Sequence, residues 1–265
     1  MPSPSPNGSV DTLRHGAHIA TVVINRPGKL NALTKPLWQG VGDAVEALAK
    51  DPAIRCIILR GAGEKSFSPG NDIVEFQTER SNKAQAVAYG AVMHRTLALL
   101  DACDVPLVAQ IHGVCVGGGL EIAACCDIRI CGASSRFGAP INKLGLTMAY
   151  AEMTPLVRRV GADVALEMLL EGTIMGAAEA RDKRLVSRVV ADADVAAEAM
   201  ASAERIAAGA PLVARWHKQF ARRLRSPAPL TAAEKDVCFD AFDTADFREG
   251  YGAFVAKRAP QFSGK

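Results

Sequence analysis

The chain has 265 residues, 49% hydrophobic and 22% charged, with a net charge of +3 and an aromatic fraction of 5%. This is a globular composition with apolar material for a full core, sized for one large domain or a domain with an appended subdomain. The small charge and few aromatics argue against a polyanionic partner or a stacking platform for nucleic acid, and there is no run of about 18 apolar residues to span a membrane.

Residues 1–9 (MPSPSPNGS) read as a disordered tail, because Pro, Ser, Gly and Asn bury no apolar surface. They lack the basic and apolar regions of a secretory signal. His18 to Asn25 is β-branched and reads as a strand, broken by Arg26-Pro27-Gly28-Lys29. Leu37, Val41, Val45 and Leu48 then mark a helix, with Thr34 as its cap and Pro36 in its first turn. Arg55 to Arg60 is nearly all apolar, as in a sheet covered on both faces. A Gly-, Ser- and Pro-containing loop, Gly61–Asp72, follows. Helical spacing runs from Ile73 to Leu100, with Ala86, Tyr89, Met93 and Leu97 in its apolar stripe. Next comes the stretch PLVAQIHGVCVGGGLEIAACCD (Pro106–Asp127): a buried strand, three glycines, and a helix that begins with Glu121.

Ile128–Cys131 and Arg136–Pro140 read as extended. Glu152–Val160, Asp163–Leu170 and Ala177–Lys183 read as helices, and Leu185–Val190 as a last β-like run. From Val195 only helices are expected: Val195–Ala208, Pro211–Leu224, one opened by the capping box Thr231–Glu234, and Phe247–Arg258. The class is therefore α/β. The division is a tail at 1–9, a core at 10–194 and a helical subdomain at 195–265. The seven cysteines are odd in number and sit mostly inside apolar runs, which fits reduced thiols in a cytoplasmic protein. No Cys-x-x-Cys or zinc-type histidine spacing occurs, so no metal site is expected.

Two glycine turns carry the chemistry. Gly70-Asn71-Asp72 and Gly117-Gly118-Gly119 each follow a β-like segment and open a helix, leaving backbone N–H groups free. Two such groups facing one point stabilise an oxygen that gains charge. Glu121 stands one turn beyond, placed either to move a proton or only to complement the helix dipole.

These motifs, in this order, resemble the crotonase superfamily, also called the enoyl-CoA hydratase/isomerase family. The resemblance rests on INRPGKLNAL, FSPGND, the Pro106–Asp127 stretch, FGAP followed by LGL, ALEMLLEGTIMGAAEARDKRLVSRVV and REGYGAFVAKRAPQF, and covers about residues 18–262. It implies a ββα spiral core with a C-terminal helical subdomain that makes a trimer or a dimer of trimers. It implies an acyl-CoA substrate and no permanently bound cofactor, CoA being part of the substrate. The N–H groups of Asn71 and Gly118 are then the oxyanion donors and Glu121 the acid/base, its pKa raised by an apolar pocket. CoA and substrate contacts map to Arg26, Lys29, Ala32, Ser66, Ser68, Gly70, Asp72, Ile73 and Ile141, and to Phe254 and Lys257 reaching a neighbouring subunit.

The sequence departs from the family's hydratases at Ile141, where they carry a second glutamate after the FGxP proline. Hydration uses two carboxylates around one water, so classical hydratase activity is not expected, whereas isomerisation needs only one. Some isomerases place their base in the segment matching Met148–Ala151, which has no acid before Glu152. Glu152 is either that group or a helix-start acid without a role. The alternatives are a CoA-binding homologue without turnover, a hydrolase or lyase reaction on the same scaffold, and RNA binding, known in one branch of the family but disfavoured here by the low charge.

Overall fold

The computed structural model describes residues 8–265. In chain order its strands are β1 (Ser9–His15), β2 (Ile19–Asn25), β3 (Cys56–Gly61), β4 (Ser66–Ser68), β5 (Leu107–Ile111), β6 (Val114–Val116), β7 (Ile128–Gly132), β8 (Arg136–Gly138), β9 (Ile174–Gly176) and β10 (Arg188–Val190). Its α-helices are α1 (Lys35–Ala49), α2 (Glu75–Thr78), α3 (Lys83–Ala102), α4 (Gly118–Cys125), α5 (Tyr150–Glu171), α6 (Ala177–Asp182), α7 (Val195–Ala207), α8 (Pro211–Arg223), α9 (Ala232–Asp236) and α10 (Ala245–Val255).

The strands form two sheets, in the orders β1-β2-β3-β5-β7-β10 and β4-β6-β8-β9. Only β1–β2 and β8–β9 are antiparallel. The chain gives β3, β5 and β7 to the first sheet, and each is followed by a strand of the second (β4, β6, β8) and then by helix. This is the expected ββα spiral.

The spiral delivers three turns to one place. β4 runs parallel to β6, with Ser66 opposite Val114 and Ser68 opposite Cys115. β6 runs parallel to β8, with Val116 opposite Gly138. The C-terminal ends of these strands therefore emerge side by side, carrying Pro69–Asp72, Gly117–Gly118 and Pro140–Ile141 with them. Ligands in α/β folds collect at such strand ends.

One core cluster fills the space among α1, α3, α4, α5 and the sheets, around Trp38, Ile57, Leu59, Phe67, Tyr89, Met93, Leu107, Ile122 and Phe137. A second lies on the other side of the large sheet, where Ala199, Ala203 and Ala207 of α7 cover Ile19, Cys56, Ile58, Val108 and Ile130. The apolar run of β3 is thus covered on both faces, as its sequence requires. It also means that α7, the first helix of the expected helical tail, packs on the α/β core. Small alanine side chains bring α7 close to the sheet.

Several boundaries differ from the sequence reading. Residues 1–7 of the expected tail lie outside the described residues, and Ser9 opens β1. β1 has no apolar alternation and forms by pairing with β2 through the His15–Ile19 hairpin. The helical pattern from Ile73 divides into α2 and α3, because Asn82 caps α3 by accepting from the Gln85 N–H at 3.1 Å. The two helices expected on either side of Gly161 are both present within α5, separated by a non-helical kink at Gly161, where φ is +81° and ψ +165°. The last strand shortens to Arg188–Val190, limited by its pairing with β7, and β9 was not foreseen. The Thr231–Glu234 capping box does form, but α9 is brief and continues as a 3-10 helix, Val237–Asp243. Among the described residues, no helix is long and apolar enough to cross a membrane.

Candidate active site

The turn after β4 is held by the chain before α1. The Leu33 N–H donates to Gly70 O at 2.8 Å, and the Asp72 N–H donates to Leu33 O at 2.8 Å. Asn71 is bracketed between these bonds with its own N–H left over. Its side chain is fixed too: Trp38 Nε1–H donates to Asn71 Oδ1 at 2.6 Å, and the Trp38 ring is fully buried. The preceding turn is tied down by Asn31, which adopts φ +64° and donates from Nδ2 to Ser66 O at 2.8 Å and Ala62 O at 3.0 Å.

The turn after β6 begins at Gly117, with φ +52° and ψ −124°, a conformation that side chains resist. It starts α4 at Gly118, three residues before the expected Glu121, so Glu121 lies in the first turn rather than at its edge. The two turns touch: a Cβ on Gly70, where φ is +97°, would lie 2.9 Å from Gly118 N. Among the described residues, neither the Asn71 nor the Gly118 N–H makes a hydrogen bond. Both belong to residues lining one cavity of about 180 Å³.

Glu121 and Glu152 line the same cavity, with Ile73, Phe76, Arg80, Pro140, Ile141, Leu144, Leu146 and Thr147. Glu121 is 5% exposed, and its Oε2 has no hydrogen-bond partner among the described residues. Burial first, and then the nearby Glu152 carboxylate, push the Glu121 pKa from 4.5 up to about 8, while Arg80 pulls it down. Burial thus favours the protonated form of Glu121. Glu152 lies in the first turn of α5. As a helix-start acid it accepts from the Ala149 N–H at 3.1 Å, and its other oxygen pairs with His94 Nε2 at 3.0 Å. It also faces the cavity.

The other expected contacts divide. Gly70, Asn71, Ile73 and Ile141 line the cavity. Arg26 is paired with Asp72 at 2.6 Å and donates to Ala32 O at 3.3 Å, so its charge is largely answered within the protein. Ser66 Oγ donates to Val114 O at 3.1 Å, and Ser68 Oγ accepts from the Gly70 N–H at 3.1 Å. Both serines are buried, which leaves Lys29 as the exposed cation of the turn. Phe254 and Lys257 are exposed on and just after α10 and do not line the cavity. Sequence reasoning missed Trp38, Arg80 and His94. Each lies in a helix or a short break where spacing marks a buried face but not a site. Six cysteines are buried, and burial raises the Cys126 thiol to about 12, so it is poorly suited to act as a nucleophile.

Residues 14–265 match the family described as Enoyl-CoA hydratase/isomerase. A crotonyl-CoA hydratase from Syntrophomonas wolfei is 34% identical over 93% of this chain and 95% of its own length. An (E)-benzylidenesuccinyl-CoA hydratase from Thauera aromatica is 36% identical over 96% and 98%. A crystal structure described as an enoyl-CoA hydratase/carnithine racemase from Magnetospirillum magneticum superposes with a TM-score of 0.95 at 52% identity, covering 97% of this chain and 96% of the other.

Proposed function

Because the chain belongs to the enoyl-CoA hydratase/isomerase family, we propose that its free N–H pair and two glutamates add water across the double bond of an enoyl-CoA thioester. The thioester oxygen lies between the Asn71 and Gly118 N–H groups, which bind it more tightly as negative charge develops there. Glu152 accepts a proton from water as the water oxygen bonds to the β carbon. The double-bond electrons move to the thioester oxygen as an enolate, and Glu121 gives its proton to the α carbon as the enolate collapses. One observation carries this reading: Glu121 and Glu152 share the cavity of the N–H pair. Glu152 would thereby supply the second carboxylate that Ile141 removed from its usual place. Isomerisation is the second reading. Ile141 favours it, since its apolar side chain gives water no acceptor on that wall.

Mass spectrometry of products from 2-enoyl- and 3-enoyl-CoA thioesters separates the two. Hydration adds one water, whereas isomerisation leaves the mass unchanged. Glu152→Gln is expected to lower the hydration rate by about 10²-fold or more. If no thioester gains water or moves its double bond, the protein is a CoA-binding homologue without turnover, and both readings fail.

For the CoA portion, the proposed contacts are Lys29 with the Arg26–Ala32 backbone, and the backbone of β4, since Ser66 and Ser68 use their hydroxyls internally. Assembly into a trimer or a dimer of trimers would bring Phe254 and Lys257 to a neighbouring site. The support is an exposed aromatic group near the C-terminus: Phe239 is 64%, Tyr251 67% and Phe254 83% exposed, more apolar surface than a lone subunit usually shows. Light scattering should return at least three times the chain mass; a monomer mass would remove this part of the proposal.

A further inference from the structure

The cavity contains a guanidinium, that of Arg80, which makes no salt bridge among the described residues. Arg80 lies in the break between α2 and α3 and lines the cavity beside Glu121. Its guanidinium sits 4.5 Å from the centre of the Phe76 ring and 4.8 Å from that of Tyr89. The Tyr89 ring is fixed in turn, since its hydroxyl donates to Glu75 Oε2 at 2.7 Å. Both distances are within the range at which a cation is attracted to an aromatic ring. Nε and Nη1 are enclosed and have no hydrogen-bond partner among the described residues.

The neighbouring carboxylates are occupied elsewhere. Glu75 also accepts from the Lys35 N–H at 3.0 Å. Glu79 pairs with Lys35 Nζ at 3.0 Å. Glu152 is taken up by His94 and the Ala149 N–H. Glu121 lines the same cavity, and burial raises its pKa to about 8 against the pull of Arg80. An enclosed donor edge with no acceptor is costly unless a ligand meets it. A guanidinium fork matches a carboxylate with two parallel hydrogen bonds. The nearby lining from Ile73, Ile141, Leu144 and Leu146 is apolar and would hold the carbon chain between.

We propose that the acyl group of the thioester carries a carboxylate, and that Arg80, clamped between Phe76 and Tyr89, binds it. This rests on the thioester reading above and adds the substrate class to it. An acyl carboxylate is favoured over a CoA phosphate because Arg80 shares its cavity with Glu121 and Gly118, at the reacting end. The same charge disfavours an acyl chain that ends in a quaternary ammonium.

The test is calorimetric titration of the wild type, Arg80→Met and Arg80→Lys with succinyl-CoA, butyryl-CoA and free CoA. The wild type is expected to bind succinyl-CoA about 10- to 100-fold more tightly than butyryl-CoA, as charge-assisted hydrogen bonds allow. Arg80→Met should erase that preference while leaving butyryl-CoA and free CoA within about threefold of wild type. Arg80→Lys, which keeps the charge but loses the fork, should retain part of it. Wild-type binding of butyryl-CoA equal to or tighter than succinyl-CoA overturns this proposal alone. Equal losses on all three probes in Arg80→Met assign Arg80 to CoA or to structure, and also overturn it. Failure of the wild type to bind any probe removes the thioester reading together with this one.

Discussion

Glu121→Gln is expected to lower turnover by about 10²- to 10⁴-fold, the range a positioned general acid supplies. The amide fills the same buried space but has no proton to give the α carbon. The wild-type rate should also fall as pH rises through about 8, where Glu121 loses its proton in the folded protein. Stability follows the same group. Its folded pKa of about 8 lies above the ordinary 4.5, so the folded state holds a proton that the unfolded chain releases. That contribution is fully present below pH 4.5 and is lost as pH rises through about 8. Glu121→Gln removes this dependence, and its Tm should gain on the wild type as pH increases across that window. Steady-state rates and thermal melts from acid to alkaline pH check both parts. Undiminished turnover in Glu121→Gln would take Glu121 out of the mechanism, and parallel melting profiles would contradict its raised pKa.

Gly70→Ala is expected to cost about 10²- to 10³-fold in kcat, the loss typical of disabling one oxyanion donor. Its Cβ would lie 2.9 Å from Gly118 N and 3.1 Å from Val116 O, against backbone that has no flexible end to move aside. Relief requires the turn after β4 to separate from the turn after β6, which displaces the Asn71 N–H from the Gly118 N–H. Backbone strain adds a stability cost of more than about 1 kcal/mol, because φ at Gly70 is +97°. Gly63→Ala is the control. Gly63 also has positive φ, +72°, but a Cβ there would meet nothing within 4 Å. It should share the strain and lower Tm without lowering kcat. Equal activity losses in the two variants would show that strain, not donor spacing, limits the rate.

The Gly70–Gly63 pair illustrates what could be read early. Gly70, Asn71, Gly118 and Glu121 were identifiable because their chemistry is local: a turn that demands glycine, a helix start that frees an N–H, and an acid one turn on. Trp38 and Arg80 were not. Trp38 occupies an apolar position in α1 like its neighbours, and only the approach of β4's turn makes its indole a partner of Asn71. Arg80 reads as one more charge in a polar break, and only the packing of Phe76 and Tyr89 encloses it. Glu152 remained ambiguous because helix-start acids are common. Its side chain is held by the Ala149 N–H and by His94, which is 58 residues away in sequence.

Apolar periodicity and the glycines after two β-like runs determined by themselves an α/β class with two turns that free backbone N–H groups, and the spiral followed from the resemblance of those motifs to the family. Those features depend on backbone conformation and on neighbours within a turn. Tertiary structure alone decided that burial raises the Glu121 pKa, that Glu152 and Arg80 line the same cavity, and that α7 packs on the large sheet. Each depends on what distant segments bring within a few ångströms, because desolvation and charge are set by surroundings that residue spacing does not encode.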